Sequence, residues 1–267
     1  VLEHLGDLAD YVSLHRYVGN RAADTPDYLA VGASIDQQIE EMDAVCRYVQ
    51  ARRRSAKRTY LCFDEWNVWY KDRTGNGQGQ FAPHLIEEVY NLEDALVVAE
   101  FLNSFVRHAD SVKIANIAQI VNVIAPLLTR GDETLIQPTF FPFEMFSRRR
   151  QGAAMQVAIK GPGYESATNG WVHTVDATAI LGEGRLQVFC VNRSLDEAAP
   201  LRIRLADADI AGLESGEVLC GTDPKAANTF EQPDLVQPQA LEGVRLVHGR
   251  AEVELPPLSV TAMTLRI

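Results

Sequence analysis

Several things are scarce in this sequence, and each shortage excludes a class of function. Its 267 residues hold only four cysteines, Cys46, Cys62, Cys190 and Cys220, with no CxxC spacing and no regular framework. A disulfide-stapled secreted domain is thereby excluded, and the thiols read as small buried hydrophobes of a reducing compartment, so a cytoplasmic location is expected. The six histidines are scattered rather than clustered with cysteine, so no metal site is expected. No apolar run reaches the 18 residues of a membrane-spanning helix. Positive charge is also in deficit, with a net charge of −11 and a pI near 5.0. The basic runs Arg52-Arg53-Arg54 with Lys57-Arg58, and Arg148-Arg149-Arg150, fit helix ends, where cations meet the negative pole of the dipole. A nucleic-acid partner is not expected on that balance. No secretory leader is visible, and Val1-Leu2-Glu3 does not look like a natural start, so an earlier part of the chain is expected to be missing.

The chain is organised around Thr59-Tyr60-Leu61-Cys62-Phe63-Asp64-Glu65-Trp66-Asn67-Val68-Trp69-Tyr70. Its apolar, aromatic opening reads as a buried strand, and its close sets two acids before two tryptophans. A carboxylate leaving a buried strand beside indole rings is what a sugar site offers, with apolar platforms for C–H faces and an anion for the anomeric carbon. Alternation along a strand puts Asp64 and Glu65 on opposite faces, so one is expected to be the active-site carboxylate and the other structural; alternation does not say which. Trp66 and Trp69 are both read as sugar platforms rather than core.

Upstream, Leu2 to Ala9 reads as a helix end and Tyr11–Tyr17 as a strand with Ser13, His15 and Tyr17 on one face. Ser34 is placed as the cap of a helix running to about Arg54, with Ile35, Ile39, Met42, Val45, Cys46 and Val49 as its apolar stripe. The glycine-rich run Arg73–Gln80 lacks the Lys-Ser/Thr of a phosphate loop and reads as a mobile loop beside a site. Asn91 caps the next helix, with Asp94 three residues on. Val112–Gln119 is a third strand, and Pro138–Arg150 another helix. Three successive βα units match a parallel barrel, whose catalytic groups collect at the carboxyl ends of strands. His15, Tyr17, Glu65 and Gln119 all lie at such ends. His15 and Tyr17 could equally be packing residues, and Gln119 a loop amide.

After Gly152 the texture changes to short alternating runs, among them Arg185–Val191, Leu201–Leu205 and Ser259–Leu265, separated by turn formers. That pattern predicts an antiparallel β-sandwich over 153–267, behind an α/β part over 1–152. Three βα units cannot close an eight-stranded barrel, which takes about 250 residues. The first part therefore reads as the end of a (β/α)8 TIM barrel whose earlier strands lie elsewhere.

Phe63-Asp64-Glu65-Trp66-Asn67-Val68-Trp69-Tyr70 resembles the nucleophile motif of the α-L-arabinofuranosidases of glycoside hydrolase family 51. Ser13–Asn20, Tyr90–Leu96, Ala118–Ile124, Asn228–Pro233 and Leu255–Thr261 resemble the same family in the same order. The resemblance implies barrel strands six to eight followed by a jelly-roll-like sandwich. It implies Glu65 as nucleophile, Asp64 as a supporting acid with Trp66 and Asn67 around it, Tyr17 as the holder of the nucleophile carboxylate, and His15, Gln119 and Trp69 as substrate-binding residues. It implies a retaining hydrolase of arabinan, arabinoxylan or arabino-oligosaccharides, without metal or organic cofactor, and a homo-oligomer in the full-length protein. The family's acid/base glutamate belongs to an Asn-Glu pair on the fourth barrel strand, and this sequence has no such segment. The chain alone is therefore expected to be inactive or nearly so. The competing readings are a non-catalytic carbohydrate-binding module, for which Trp171 is the one tryptophan of the sandwich, and an oligomerisation fragment.

Overall fold

The structure, a computed structural model, describes residues 1–71, 81 and 85–267. The glycine-rich run at 73–80 lies outside the described residues. A short helix α1 (Leu2–Leu5) precedes strand β1 (Tyr11–Val18). Asp24 caps α2 (Thr25–Tyr28) by accepting from the Asp27 N–H, and α3 (Gly32–Arg53) follows. Then come β2 (Tyr60–Val68), α4 (Leu92–Arg107), β3 (Val112–Ile117), a hairpin of β4 (Leu127–Arg130) and β5 (Glu133–Ile136), and α5 (Phe140–Arg148). Strands β1, β2 and β3 form a parallel sheet in that order, with helices after β1 and β2 and the hairpin between β3 and α5. The α4 cap is the one expected: Asn91 accepts from the Asp94 N–H while Asp94 accepts from the Asn91 N–H.

Some boundaries differ from the sequence reading. Ser34 is not the cap of α3, which starts two residues earlier; its hydroxyl donates to the Val31 carbonyl within the first turn and accepts from Arg16. The third strand stops at Ile117 rather than Gln119, because the chain there turns into the β4–β5 hairpin, which short, weakly apolar strands did not announce.

The later strands are β6 (Ala153–Met155), β7 (Gly163–Ser166), β8 (Gly170–His173), β9 (Val175–Gly182), β10 (Arg185–Asn192), β11 (Ala199–Ile203), β12 (Gly212–Cys220), β13 (Gln239–Ala240), β14 (Arg245–Val247), β15 (Arg250–Leu255) and β16 (Ser259–Arg266). A six-stranded sheet, β13-β12-β16-β10-β9-β6, packs on a three-stranded one, β11-β15-β14. Between them lie Leu186, Val188, Cys190, Met263 and Leu265 from one sheet and Ala251, Val253 and Leu255 from the other. Where β9 turns into β10, Glu183 and Gly184 both have positive φ, +52° and +71°, the two-residue turn that suits the twist of a hairpin.

The central strands of the six-stranded sheet, β16 and β10, are buried on both faces. Phe189, Val191, Val260 and Ala262 alternate with the residues just named and join a second core containing α4, α5 and the parallel sheet. Helix α4 is thus enclosed: from β2, Trp66 packs on Phe101 (centroids 4.8 Å apart) and Phe105 (5.1 Å). On the sandwich side, Phe146 of α5 stacks on Phe189 at 3.8 Å. Enclosure extends to charge. Glu100 of α4, fully buried, accepts from Arg193 Nε (2.6 Å) and the Gly32 N–H (3.1 Å). Burial raises the Glu100 carboxyl to about 7, against the pull of Arg193 in the other direction.

Two outcomes are expected. Trp66→Ala should cost about 3–5 kcal/mol in chemical denaturation, the range for emptying a buried aromatic site. Glu100 has a folded-state pKa of about 7, raised from 4.5, so the folded state holds the extra proton between those values. The stability it contributes is complete below about pH 4.5 and is lost as pH rises through about 7. Unfolding free energies of wild type minus Glu100→Gln, measured across that window, should fall with rising pH, and a flat difference would refute this assignment.

Candidate active site

The site grows from an irregularity in the pairing of β1 with β2. Leu14 pairs with Phe63, but His15 pairs with Glu65, so Asp64 is an extra residue on the bulged strand. Before the bulge Leu61 and Phe63 join the core that contains α4; after it the apolar core positions are Trp66 and Val68. The bulge absorbs one step of the alternation and turns both acids toward the Ser13–His15–Tyr17 face of β1. The expectation that Asp64 and Glu65 oppose each other therefore fails, because it assumed an unbroken period of two.

Both carboxylates meet the same imidazole. His15 Nε2 lies 3.4 Å from Asp64 Oδ1, and His15 Nδ1 lies 3.5 Å from Glu65 Oε2. Ser13 donates its hydroxyl to Asp64 Oδ1 (2.7 Å), and Tyr17 donates its own to Glu65 Oε2 (2.9 Å). The Ser13 hydroxyl bond, then a backbone N–H and His15, hold the Asp64 carboxyl below the usual carboxylate range. Tyr17 is pushed up to about 12, by burial first and then by the hydrogen bond to Glu65 and its charge. Side chains here are about half exposed, 42% for Asp64, 47% for Glu65 and 50% for His15, so Glu65 presents an oriented carboxylate to an open face. Among the described residues no group of three or more His, Cys, Asp and Glu is arranged to hold a metal ion.

Trp69 stands beside this cluster, edge-on to the Tyr17 ring at 5.4 Å, and its backbone N–H donates to the Val18 carbonyl. Trp66 does not. It has no exposed surface and stacks on Phe143 at 5.5 Å, so the reading of both tryptophans as platforms is corrected: the bulge sends Trp66 into the helix layer and leaves Trp69 at the rim. Asn67, on the Glu65 face and fully buried, donates to the carbonyls of Ala118 (2.7 Å) and Ile124 (2.6 Å) and so fixes the loop after β3. Gln119 lies in that loop with an exposed side chain and makes no hydrogen bond to Glu65. Asn122, further on, is turned to the β4 strand, where it pairs with Thr129.

Sequence reasoning missed a group behind the site. Glu93 and Asp94 in the first turn of α4 are fully buried, and the chain following β1 and β2 converges on them. Tyr28 donates to Asp94 (3.1 Å), as does Lys71 (2.5 Å), while Asn20, Thr25 and Tyr70 donate to Glu93. The only hint was that two acids followed a capping asparagine, which a helix dipole alone explains.

Against known proteins, the model of a family described as "Alpha-L-arabinofuranosidase C-terminal domain" matches residues 64–259. The chain is 38% identical over 265 residues to an intracellular exo-α-(1→5)-L-arabinofuranosidase of Streptomyces lividans, covering 97% of this chain and 40% of that protein. It is 33% identical over 284 residues to an exo-α-(1→6)-L-arabinofuranosidase of Bifidobacterium longum, with 100% and 54% covered. A solved family 51 α-L-arabinofuranosidase from Bifidobacterium longum superposes with a TM-score of 0.91 at 30% identity, covering 99% of this chain and 54% of that one. The α-L-arabinofuranosidase of Thermotoga maritima, at 24% identity and a TM-score of 0.84, shares the fold, with 100% and 54% covered. The chain spans about half the length of the relatives it matches.

The geometry at Glu65 has a measurable consequence. In Glu65→Gln the Tyr17 phenol loses a charged acceptor, so its titration, followed by the ring Cζ signal in NMR, should move down from about 12. An unmoved midpoint would mean that burial alone sets it.

Proposed function

Because the chain belongs to the α-L-arabinofuranosidases of glycoside hydrolase family 51, matching their C-terminal portion, we propose that Glu65 is the nucleophile of a retaining hydrolase. The whole protein releases terminal non-reducing α-L-arabinofuranosyl residues from arabinan, arabinoxylan or arabino-oligosaccharides. One observation carries this reading: at the carboxyl end of β2 the Glu65 carboxylate is oriented by Tyr17 and His15, beside Trp69. In the first step Glu65 attacks the anomeric carbon, the glycosidic bond breaks, and a covalent arabinosyl-enzyme forms with inversion. Water then attacks the same carbon, restores the configuration and frees Glu65. Tyr17 holds the attacking oxygen in line, His15 bridges it to Asp64, and Trp69 walls the sugar. Gln119 binds the substrate from the loop that Asn67 fixes.

A retaining mechanism needs a second carboxyl, acid and then base, about 5–5.5 Å from the nucleophile. Asp64 is already engaged by Ser13 and His15, which leaves it a supporting role. In our reading the acid/base comes from outside this chain. Strands β1 to β3 are then strands six to eight of a (β/α)8 barrel covering residues 1–152, and 153–267 form a jelly-roll-like sandwich. We place the protein in the cytoplasm, since its relatives are named intracellular and its cysteines are free thiols. The chain alone should then turn over ordinary substrates about 10²–10⁴-fold more slowly than a complete enzyme.

The test is a 2-fluoro-arabinofuranoside with a leaving group good enough to depart without acid help, followed by intact mass and peptide mapping. A single arabinosyl label on Glu65, absent in Glu65→Ala, is the expected result. A label on another carboxylate, or none while a full-length relative labels under the same conditions, overturns the reading.

A further inference from the structure

Behind the Glu65 cluster, one fully buried carboxylate gathers three separate parts of the chain. Glu93 accepts from Asn20 (3.2 Å) and Thr25 (2.8 Å), which follow β1, and from the Tyr70 hydroxyl (3.3 Å), two residues past β2. Its fourth donor is the ammonium of Lys225, from the sandwich segment after β12. That segment is seated on the helix end by its backbone as well: the Glu93 N–H donates to the Pro224 carbonyl (3.0 Å) and the Leu92 N–H to that of Ala226 (2.9 Å). Tyr70 is gripped from the other side by Gly19, where an added Cβ would come within 2.2 Å of the Tyr70 Cβ. Backbone can lie that close to a ring only without a side chain.

The sequence distances matter. Asn20 is three residues beyond Tyr17, and Tyr70 is next to Trp69 and five beyond Glu65. The carboxyl ends of β1 and β2, which carry the Tyr17–Glu65 hydrogen bond, are thus joined through Gly19, Tyr70, Asn20 and Glu93. A carboxylate buried among neutral donors is costly unless a cation accompanies it, and the cation facing it here is Lys225.

We propose that Lys225 is a positioning residue for the chemistry at Glu65: by neutralising Glu93, the sandwich sets the register of the two strand ends that hold Tyr17 and Glu65. This rests on the reading of Glu65 as nucleophile. Its structural half, that Lys225 controls the geometry at Tyr17 and Trp69, stands or falls separately.

The experiment compares Lys225→Met, Lys225→Arg and the double variant Glu93→Gln/Lys225→Met with wild type, in this chain. Indole ¹⁵N and tyrosine ¹³Cζ NMR read Trp69 and Tyr17 directly, and thermal melts report the fold. Lys225→Met should displace both signals and lower the Tyr17 titration from about 12, because its bond to Glu65 loosens. Lys225→Arg should restore them. Should Lys225→Met fail to fold, the double variant removes the buried charge and folds. Its amide cannot accept from Asn20, Thr25 and Tyr70 together, so the displaced signals persist. Wild-type Tyr17 and Trp69 signals in a folded Lys225→Met or double variant overturn the proposal, whether or not Glu65 is labelled. Where wild type is labelled by the 2-fluoro sugar, Lys225→Met should slow the labelling about 10- to 100-fold, the scale for a misplacement near 1 Å. An unchanged labelling rate overturns the proposal while leaving Glu65 as nucleophile. A wild-type chain that takes no label bears on the nucleophile reading alone, and the NMR comparison still decides.

Discussion

Almost everything in this structure follows from one helix having almost no surface. Strand β2 covers α4 on one side and the six-stranded sheet covers it on the other, so its apolar residues spread over most of the circumference. Most of its polar residues are shut from water, and its buried charges are paired inside. Glu100 finds Arg193 and Gly32, Asn103 finds Asp176, Asp94 finds Tyr28 and Lys71, and Glu93 finds Lys225, Asn20, Thr25 and Tyr70. Each pairing recruits a segment from elsewhere in the chain. The parallel sheet and the sandwich consequently share one core, and the polar contacts across α4 fix how they meet.

The second organising feature is the bulge at Asp64. In a regular strand the two acids would serve different sides of the sheet, one lost among the phenylalanines of α4. A single inserted residue instead leaves the helix-facing side wholly apolar, with Phe63, Trp66 and Val68, and collects Asp64, Glu65 and Asn67 on the other. The same insertion sorts the tryptophans: Trp66 becomes core and Trp69 borders Tyr17.

What was legible in the sequence is what local rules govern. The Asn91–Asp94 capping box, the β10 and β16 alternation, the parallel βα order and the company of Tyr17 with Glu65 at strand ends all follow from spacing within a few residues or from resemblance. What was not legible depends on partners far along the chain. Ser34 has the right chemistry for a cap, but the helix begins earlier, under Glu100, whose carboxylate takes the Gly32 N–H from 68 residues away. The phase slip that separates Trp66 from Trp69 exists only in the pairing of β1 with β2, and no run of residues in β2 alone announces it. Lys225 and Glu93, 132 residues apart, resemble any surface lysine and any first-turn acid until the fold brings them together.

The two faces of the parallel sheet carry the remaining argument. Parallel sheets are ordinarily covered on both sides, because crossover helices and their neighbours lie over them. Here the α4 side is apolar and closed, while the Glu65 side is polar and half open: Ser13, His15 and Asp64 are exposed, and β1 and β3 are edge strands of the sheet. A face made to be solvated would not need Asn67 fully buried on it with both amide hydrogens given to the loop after β3, nor Asp64 and Glu65 shared out over one imidazole. Those are the devices of a surface that must keep its carboxylates aimed while something else lies against it. Under the proposed function, a furanose ring and a second carboxyl would lie against that face. If Glu65 is the nucleophile proposed above, the sandwich, through α4 and Lys225, is the backing against which its carboxylate is held.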